Sequence, residues 1–481
     1  MKYTRVLVFF VFISLTLPAV SLAQEFDTLA TDISRILAGK TPDYYFRDIS
    51  RQPYFQAHSK AISQSWQQVQ RYDIRPVEKW RDRVGISHPA DPQVLFYPFS
   101  GPDFLFGNLM FPHAGTYILG GLEPVGSLPA LGEMSAAGRS QYLKALRYTF
   151  RYMKRVGYFV TKHMEADYES GYLNGTLHVL LYFMAQRNKK ILDITHFYLD
   201  RSARIVPVPR QAEGKSVKGV KIRFWDQDAG KAKQLYYFDL DLSDKNMHIN
   251  PQFLVFLDKQ APYLTYMKSA SYILHSSRFS KVRAHILNHA DKLLQDDTGI
   301  PYPMLKKQQR FHIRLFGTYT QTISDFDYRF QPSLKADLDA ENRNKALGFQ
   351  IGYSSWHNET LLIFAYTGQA RLRMAKPVAG PVEKPLATRQ KSIDEEGVTY
   401  RVQILISRYA LSPHADTLRG LDAGFYKENG IFKYTVGNTS NYRQIKQLQQ
   451  KMKQKGYAQA FVVAFRGSSR IPVADALSIQ N

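Results

Sequence analysis

The sequence predicts an α+β protein in two folded parts, a large mixed helix-and-strand domain over 24–375 and a small βαββαβ domain over 397–481. Three observations predict it. Helical periodicity and period-two alternation come in blocks rather than in strict βα alternation, which argues α+β over a doubly wound parallel sheet. The 481 residues exceed what one core holds, since single cores stop growing near ~250 to 300 residues. From Thr367 through Thr399 no Phe, Tyr or Trp occurs, and Pro377, Pro381 and Pro385 precede a charged run from Arg389 to Glu396, so 376–396 reads as a linker. No repeat of fixed period is present, which disfavours a solenoid or propeller.

Taken in order, the chain opens with a basic start at Lys2 and Arg5, an apolar run from Val6 to Val20 and a small-x-small site at Ser21-Leu22-Ala23. This predicts a cleaved export signal over 1–23 with the mature chain starting at Gln24, and a periplasmic or envelope-associated location. The run falls short of the ~20 residues a bilayer span needs, and no later stretch approaches it, so no integral membrane segment is expected after cleavage. Helical spacing follows over Phe26 to Leu37 and Phe55 to Arg83. Gln93 to Phe99 and Gly115 to Leu119 read as strands, with helical turns between them over Asp103 to Met110. Two helices are expected over Arg139 to Thr161 and Gly175 to Arg187. Strands are expected over His196 to Val208, Val220 to Trp225 and Leu235 to Leu240, then helices from Asn250 to Leu294, then strands around Phe311 to Tyr319 and Gln350 to Tyr353.

Composition bounds the chemistry. Apolar residues at 44% and aromatics at 14% exclude a disordered or collagen-like chain. The absence of cysteine excludes disulfides, thiolate metal sites, thiol nucleophiles and lipid attachment through an N-terminal cysteine. A net charge of +23 calls for an anionic partner. Export turns that expectation away from nucleic acid and toward sugar polymers or acidic lipids.

In the large domain, Tyr97-Pro98-Phe99-Ser100-Gly101-Pro102-Asp103 and Gly120-Gly121-Leu122-Glu123 both leave strand ends. Ligands collect at the carboxyl ends of strands, so Ser100, Asp103 and Glu123 are the candidate catalytic residues, the two carboxylates forming an acid/base pair. The competing reading makes Asp103 a helix cap and Glu123 the partner of a cation. Other motifs carry less. His163, Glu165, Asp167 and Glu169 cluster, but no His-Glu-x-x-His spacing occurs, and neither metal nor cofactor is expected. Asp226-Gln227-Asp228 lacks the remaining ligands of a calcium loop and reads as a turn. Asp296-Asp297-Thr298-Gly299 reads as a helix stop. Gly214-Lys215-Ser216 ends like a phosphate loop but has Pro209 where the first glycine belongs.

The small domain alternates clearly. Tyr400, Val402, Ile404 and Ile406 mark a half-buried strand, and a short helix fits Ala415 to Leu421. Phe425 to Glu428, Asn429-Gly430 and Ile431 to Val436 form a hairpin signal, since Asn-Gly tolerates the positive φ of a tight turn. A helix with Ile445, Leu448 and Met452 on one face runs to Gly456, and Phe461, Val463 and Phe465 mark a last strand. Twelve Lys or Arg stand against four Asp or Glu here.

This order resembles the SPOR (sporulation-related repeat) domain of bacterial envelope proteins. Tyr400-Arg401-Val402-Gln403-Ile404 and Lys433-Tyr434-Thr435-Val436-Gly437 carry the resemblance, which covers roughly 397–472. It implies a ferredoxin-like fold that binds peptidoglycan glycan strands stripped of their peptides, with Arg401, Gln403, Tyr434 and Val436 in the motif strands. Gln403 is followed by Ile404-Leu405-Ile406-Ser407 where the family has small residues and an aromatic. The expected function is therefore an exported envelope protein held on peptidoglycan. The alternative is a periplasmic hydrolase acting on peptidoglycan or another polysaccharide by paired carboxylates.

Overall fold

The computed structural model describes residues 26–481 apart from 157–174, 210–213, 215–216, 323, 342–344, 354–359, 375–397, 408–417, 419–420, 422, 429–430, 458–459, 467–468, 472 and 481. The expected export signal, the His163 to Glu169 cluster, the linker and most of the Ala415 to Leu421 helix lie outside the described residues.

Helices and strands mix as the sequence predicts. Among the described residues the large part holds ten strands: β1 Val94–Tyr97, β2 Thr116–Gly121, β3 Lys189–Leu199, β4 Ile205–Val208, β5 Lys218–Asp226, β6 Lys231–Asp239, β7 Tyr263–Met267, β8 Ala290–Gln295, β9 Phe311–Gly317 and β10 Leu361–Thr367. They form one sheet in the order β4-β3-β5-β6-β2-β1-β7-β8-β10-β9. The middle five, β6-β2-β1-β7-β8, run parallel, and the flanking strands pair antiparallel. Chain order within the parallel set reverses between β1 and β7, because β2 and β6 lie to one side and β7 and β8 to the other.

Both faces of this sheet are covered. Leu95 and Tyr97 join one apolar cluster with the helices Thr28–Leu37, Pro53–Val69, Arg75–Val84, Phe104–Met110 and Leu177–Gln186. Phe96, between them, joins the other with Asp244–Ile249, Gln252–Asp258, Ser280–His289, Tyr302–Lys306 and Pro332–Ala340. Opposite orientation of successive strand residues produces this division. One buried charge cluster ties the antiparallel wing together: Asp226 accepts from Lys189 and from Lys233, the latter at 2.8 Å. The segment after Asp226 is a turn joining β5 to β6, as expected.

Three expectations are corrected. The stretch from Asn250 to Leu294 is not all helix; β7 and β8 lie within it. Both are buried strands; the short apolar run of β7 and the buried Asp291, Lys292 and Gln295 of β8 give no period-two signal. The His196 to Val208 stretch is two antiparallel strands around the Asp200 to Arg204 turn, where Asp200 accepts from the Ser202 and Arg204 amides. Gln350 to Tyr353 is not a strand; β9 is followed in the chain by β10, Leu361–Thr367, and β9 forms the edge of the sheet with β10 inside it.

The small part holds β11 Val398–Ser407, β12 Gly424–Glu428, β13 Ile431–Thr439, β14 Phe461–Arg466 and β15 Ser469–Ile471, all antiparallel, in the order β12-β13-β11-β14-β15. Glu428 pairs with Ile431, so β12 and β13 flank the two-residue Asn-Gly connection the sequence predicts. The helix Tyr442–Gln454, capped by Asn441 through the Gln444 amide, packs Ile445 and Met452 against Tyr400, Val402, Tyr434 and Val436.

Candidate functional site

Five parallel strands point their carboxyl ends the same way, and the reversal of strand order between β1 and β7 parts the loops that follow them. A cavity of about 180 Å³ opens there. Its walls come from the loops after β1, β2, β6 and β7, with Ser100, Glu123, Lys268, Ser269, Ser271 and Tyr353 among the polar lining.

The loop after β1 is sharply turned. Phe99 and Gly101 both take left-handed φ angles, +56° and +52°, and the Gly101 amide donates to the Gly120 carbonyl at 3.2 Å. Ser100 lies in the wall, but its hydroxyl donates to the Gly101 carbonyl at 2.9 Å. A serine nucleophile needs a base to take that proton, and a backbone carbonyl is not one.

Asp103 does not line the cavity. It caps the helix Phe104–Met110 by accepting from the Phe106 amide at 3.1 Å, and its other oxygen accepts from the Tyr97 hydroxyl and the Lys268 ammonium, each at 2.9 Å. Both charged side chains are 3% exposed, and Lys268 also sits 4.7 Å from the centre of the Phe106 ring. Burial, and then the Asp103 charge, push the Tyr97 phenol well above its ordinary pKa, so it stays a donor. Asp103 thus combines the cap of one sequence reading with a buried ion pair.

Glu123 lines the cavity. The Tyr237 hydroxyl lies 3.0 Å from its carbonyl and 3.2 Å from Oε2. Gly121 makes this fold-back possible, since a Cβ there would stand 2.4 Å from Oε2 of Glu123 and 3.1 Å from the Gly101 Cα. The structure therefore brings Ser100 and Glu123 to one cavity and assigns Asp103 to supporting Lys268.

The opposite wall, Lys268 to Ile273, is what sequence reasoning missed. Ser269, Ser271 and Tyr272 all take left-handed φ angles, +52°, +51° and +55°, and strain of this kind concentrates at functional loops. Asp296, at the end of β8, accepts from the Ser269 amide at 2.7 Å, and Thr298 Oγ1 accepts from the Ala270 amide at 2.7 Å. Ser271 Oγ and the Tyr353 hydroxyl are 2.6 Å apart, and the Tyr272 hydroxyl donates to Asp297. The Asp-Asp-Thr-Gly segment is thus the brace of the strained loop rather than a helix stop. Burial, and then the neighbouring Asp296 charge, raise the Asp297 carboxyl to about 7. Burial raises Asp296 as well.

On the small sheet the predicted glycan residues divide. Tyr434 and Val436 belong to the core beneath the helix, a correction to the expectation that they meet a ligand. Arg401 and Gln403 alternate to the face opposite that core. There Gln403 accepts from the Tyr426 hydroxyl at 2.8 Å, and the Arg401 guanidinium lies 4.7 Å from the centre of the Phe465 ring. Tyr426 packs edge-on against Phe465 at 5.1 Å, with Lys433 and Arg470 at 5.8 and 5.9 Å from its ring. Tyr426, the hub of this face, was legible as a hairpin residue but not as a surface one. Comparison with protein-family models, with curated proteins and with solved structures finds no match to this chain.

Proposed function

We propose that this is an exported cell-envelope protein that binds peptidoglycan glycan strands through a SPOR-like, ferredoxin-like C-terminal unit. The observation that carries the reading is the face opposite the helix, where Arg401, Lys433 and Arg470 surround the edge-to-face pair of Tyr426 and the buried Phe465, and Gln403 holds the Tyr426 hydroxyl. A glycan stripped of its peptides offers sugar faces to an aromatic ring, acetyl groups to an amide and lactyl carboxylates to guanidinium groups. The high positive charge of this part supports the same partner. In a pelleting assay with peptidoglycan, residues 24–481 bind amidase-treated sacculi more than intact ones, and binding weakens with salt. Tyr426→Ala lowers binding while near-ultraviolet circular dichroism of the chain is retained. Equal pelleting of wild type and Tyr426→Ala would refute the assignment of this face.

The cavity at the carboxyl ends of β1, β2, β6 and β7 supports a second reading for the large part, a binding site for a small polar ligand. The strained Ser269 to Tyr272 loop, braced by Asp296 and Thr298, favours it. Hydrolysis by an Asp103 and Glu123 pair is the weaker alternative, because Asp103 already accepts from Tyr97, Lys268 and the Phe106 amide. Gly121→Ala, which drives a methyl group against the Glu123 carboxylate, tests the cavity reading: loss of ligand in a binding screen with the glycan-binding activity intact is the expected result.

A further inference from the structure

A second polar cluster lies at the other end of the parallel strands. Tyr263 is the first residue of β7, and His289 directly precedes Ala290, the first residue of β8. His285 and His289 are four apart on the helix Ser280–His289 and so share one face. Asp258 closes the helix Gln252–Asp258 and faces them. Its Oδ1 lies 2.8 Å from His285 Nε2 and 3.7 Å from His289 Nε2, and the three ligand atoms all lie within 4.8 Å of one another.

We propose that Asp258, His285 and His289 bind a zinc ion. Three features beyond the clustering carry this. First, the spacing fits: donors about 2.0 to 2.1 Å from a tetrahedral zinc stand roughly 3.3 Å apart, between the two distances seen here. Second, each ring is held by its other nitrogen, the arrangement that orients metal-bound imidazoles. His289 Nδ1 donates to the His285 carbonyl at 2.9 Å, which leaves Nε2 as the lone-pair nitrogen toward Asp258. His285 Nδ1 lies 2.7 Å from the buried Tyr263 hydroxyl, with the two rings stacked at 4°. When zinc binds, the His285 proton passes through solvent from Nε2 to Nδ1, so the neutral ring offers its Nε2 lone pair to the metal while Nδ1–H donates to the Tyr263 hydroxyl oxygen, whose own hydrogen rotates away from the ring.

Third, access is graded as an ion site requires. His285 is buried, while the Asp258 side chain is 52% and the His289 side chain 37% exposed, so an ion can enter and a water can complete its shell. Two imidazoles and one carboxylate select zinc-like metals over calcium or magnesium, which take oxygen ligands. The site lies at the end of β7 opposite the cavity wall, and it joins two helices of one face to the starts of β7 and β8. Its effect is to clamp those elements, stabilising the fold by mass action when zinc is present.

The test uses tag-free protein stripped with chelator, dialysed against zinc chloride and assayed for metal by mass spectrometry and for affinity by competition with a chromophoric chelator. One zinc per chain and a rise in melting temperature with zinc but not with magnesium are expected. His289→Ala and, separately, Asp258→Ala each weaken zinc by more than about 100-fold, beyond the loss typical of outer-shell partners. Both residues are half-exposed, and circular dichroism verifies folding. Absence of stoichiometric zinc in the wild type, or unchanged zinc affinity in a folded variant, overturns the site.

Discussion

The large sheet is buried on both faces between two apolar clusters, whereas the small sheet has one cluster, beneath the helix Tyr442–Gln454, and carries charge and aromatic side chains on its other face. A parallel sheet covered twice can meet a ligand only where its strands end, and there the cavity lies. An antiparallel sheet covered once can offer a face. The two parts therefore place their chemistry in different positions for one reason, the number of layers that pack on each sheet.

Breaking the large part from within gives the largest expected effect. Burial would raise the Asp226 carboxyl, but the hydrogen bonds and charges of Lys189 and Lys233 outweigh it and hold the group below its usual range. Asp226→Asn leaves the buried Lys233 ammonium without its carboxylate and Lys189 with only the half-exposed Asp228, and a loss of about 3 to 5 kcal/mol is expected in chemical denaturation of the large part. Because the folded-state pKa is depressed, this contribution is present above the unfolded value near 4 and is lost as pH falls below it. Unchanged stability would show that the cluster is solvated.

Tyr434→Ala sharpens the contrast from the other side. Tyr434 is 1% exposed, and truncating it costs about 3 to 5 kcal/mol by the precedent of buried aromatics, enough to unfold the small part while the large part melts as before. Tyr426→Ala, one strand away on the other face, costs well under that and acts on glycan binding instead. Equal destabilisation by the two would mean that both faces of the small sheet are core.

A smaller effect is expected at the brace of the cavity. Asp297 has its pKa raised to about 7 by burial and by Asp296. The folded state therefore holds a proton that the unfolded chain releases near pH 4, so this group makes stability fall as pH rises from about 4 to 7, by at most ~1.4 kcal/mol per pH unit. Asp297→Asn removes that slope. Parallel stability–pH curves for variant and wild type across the window would contradict the assignment.

The same difference in layering explains what the sequence made legible. β11 and β13 alternate apolar and polar residues because one face packs beneath the helix while the other holds polar side chains such as Gln403 and Thr435, and the two strands of the hairpin and the following helix lie where the sequence places them. β7 and β8 hide inside an apparent helix. Tyr263–Met267 is too short and too uniformly apolar to show a period, and Asp291 and Lys292 look solvated within β8. Both are buried. Lys292 pairs with Asp91 at 2.8 Å and Asp291 accepts from Thr367 at 2.7 Å, partners that no local window contains. With those two strands unseen, the parallel centre and its cavity were unseen too, although Ser100 and Glu123 were correctly placed at strand ends. Lys268 and Ser269 carried no motif, and Asp296 stood only in a segment read as a helix stop; their roles come from contacts across β1, β7 and β8. For the Asp258, His285 and His289 cluster the spacing of the two histidines stands in the sequence, but Asp258 lies upstream and only the packing of two helices brings it to them.

Hydrogen exchange of residues 24–481 with and without soluble, peptide-free glycan fragments tests most directly whether the small sheet works through its face. Slowed exchange confined to β11, β13 and β14, around Gln403, Thr435 and Phe465, is the predicted result. Protection at the Phe99 to Asp103 and Lys268 to Ile273 loops instead, or no protection in the small sheet at saturating glycan, would contradict it.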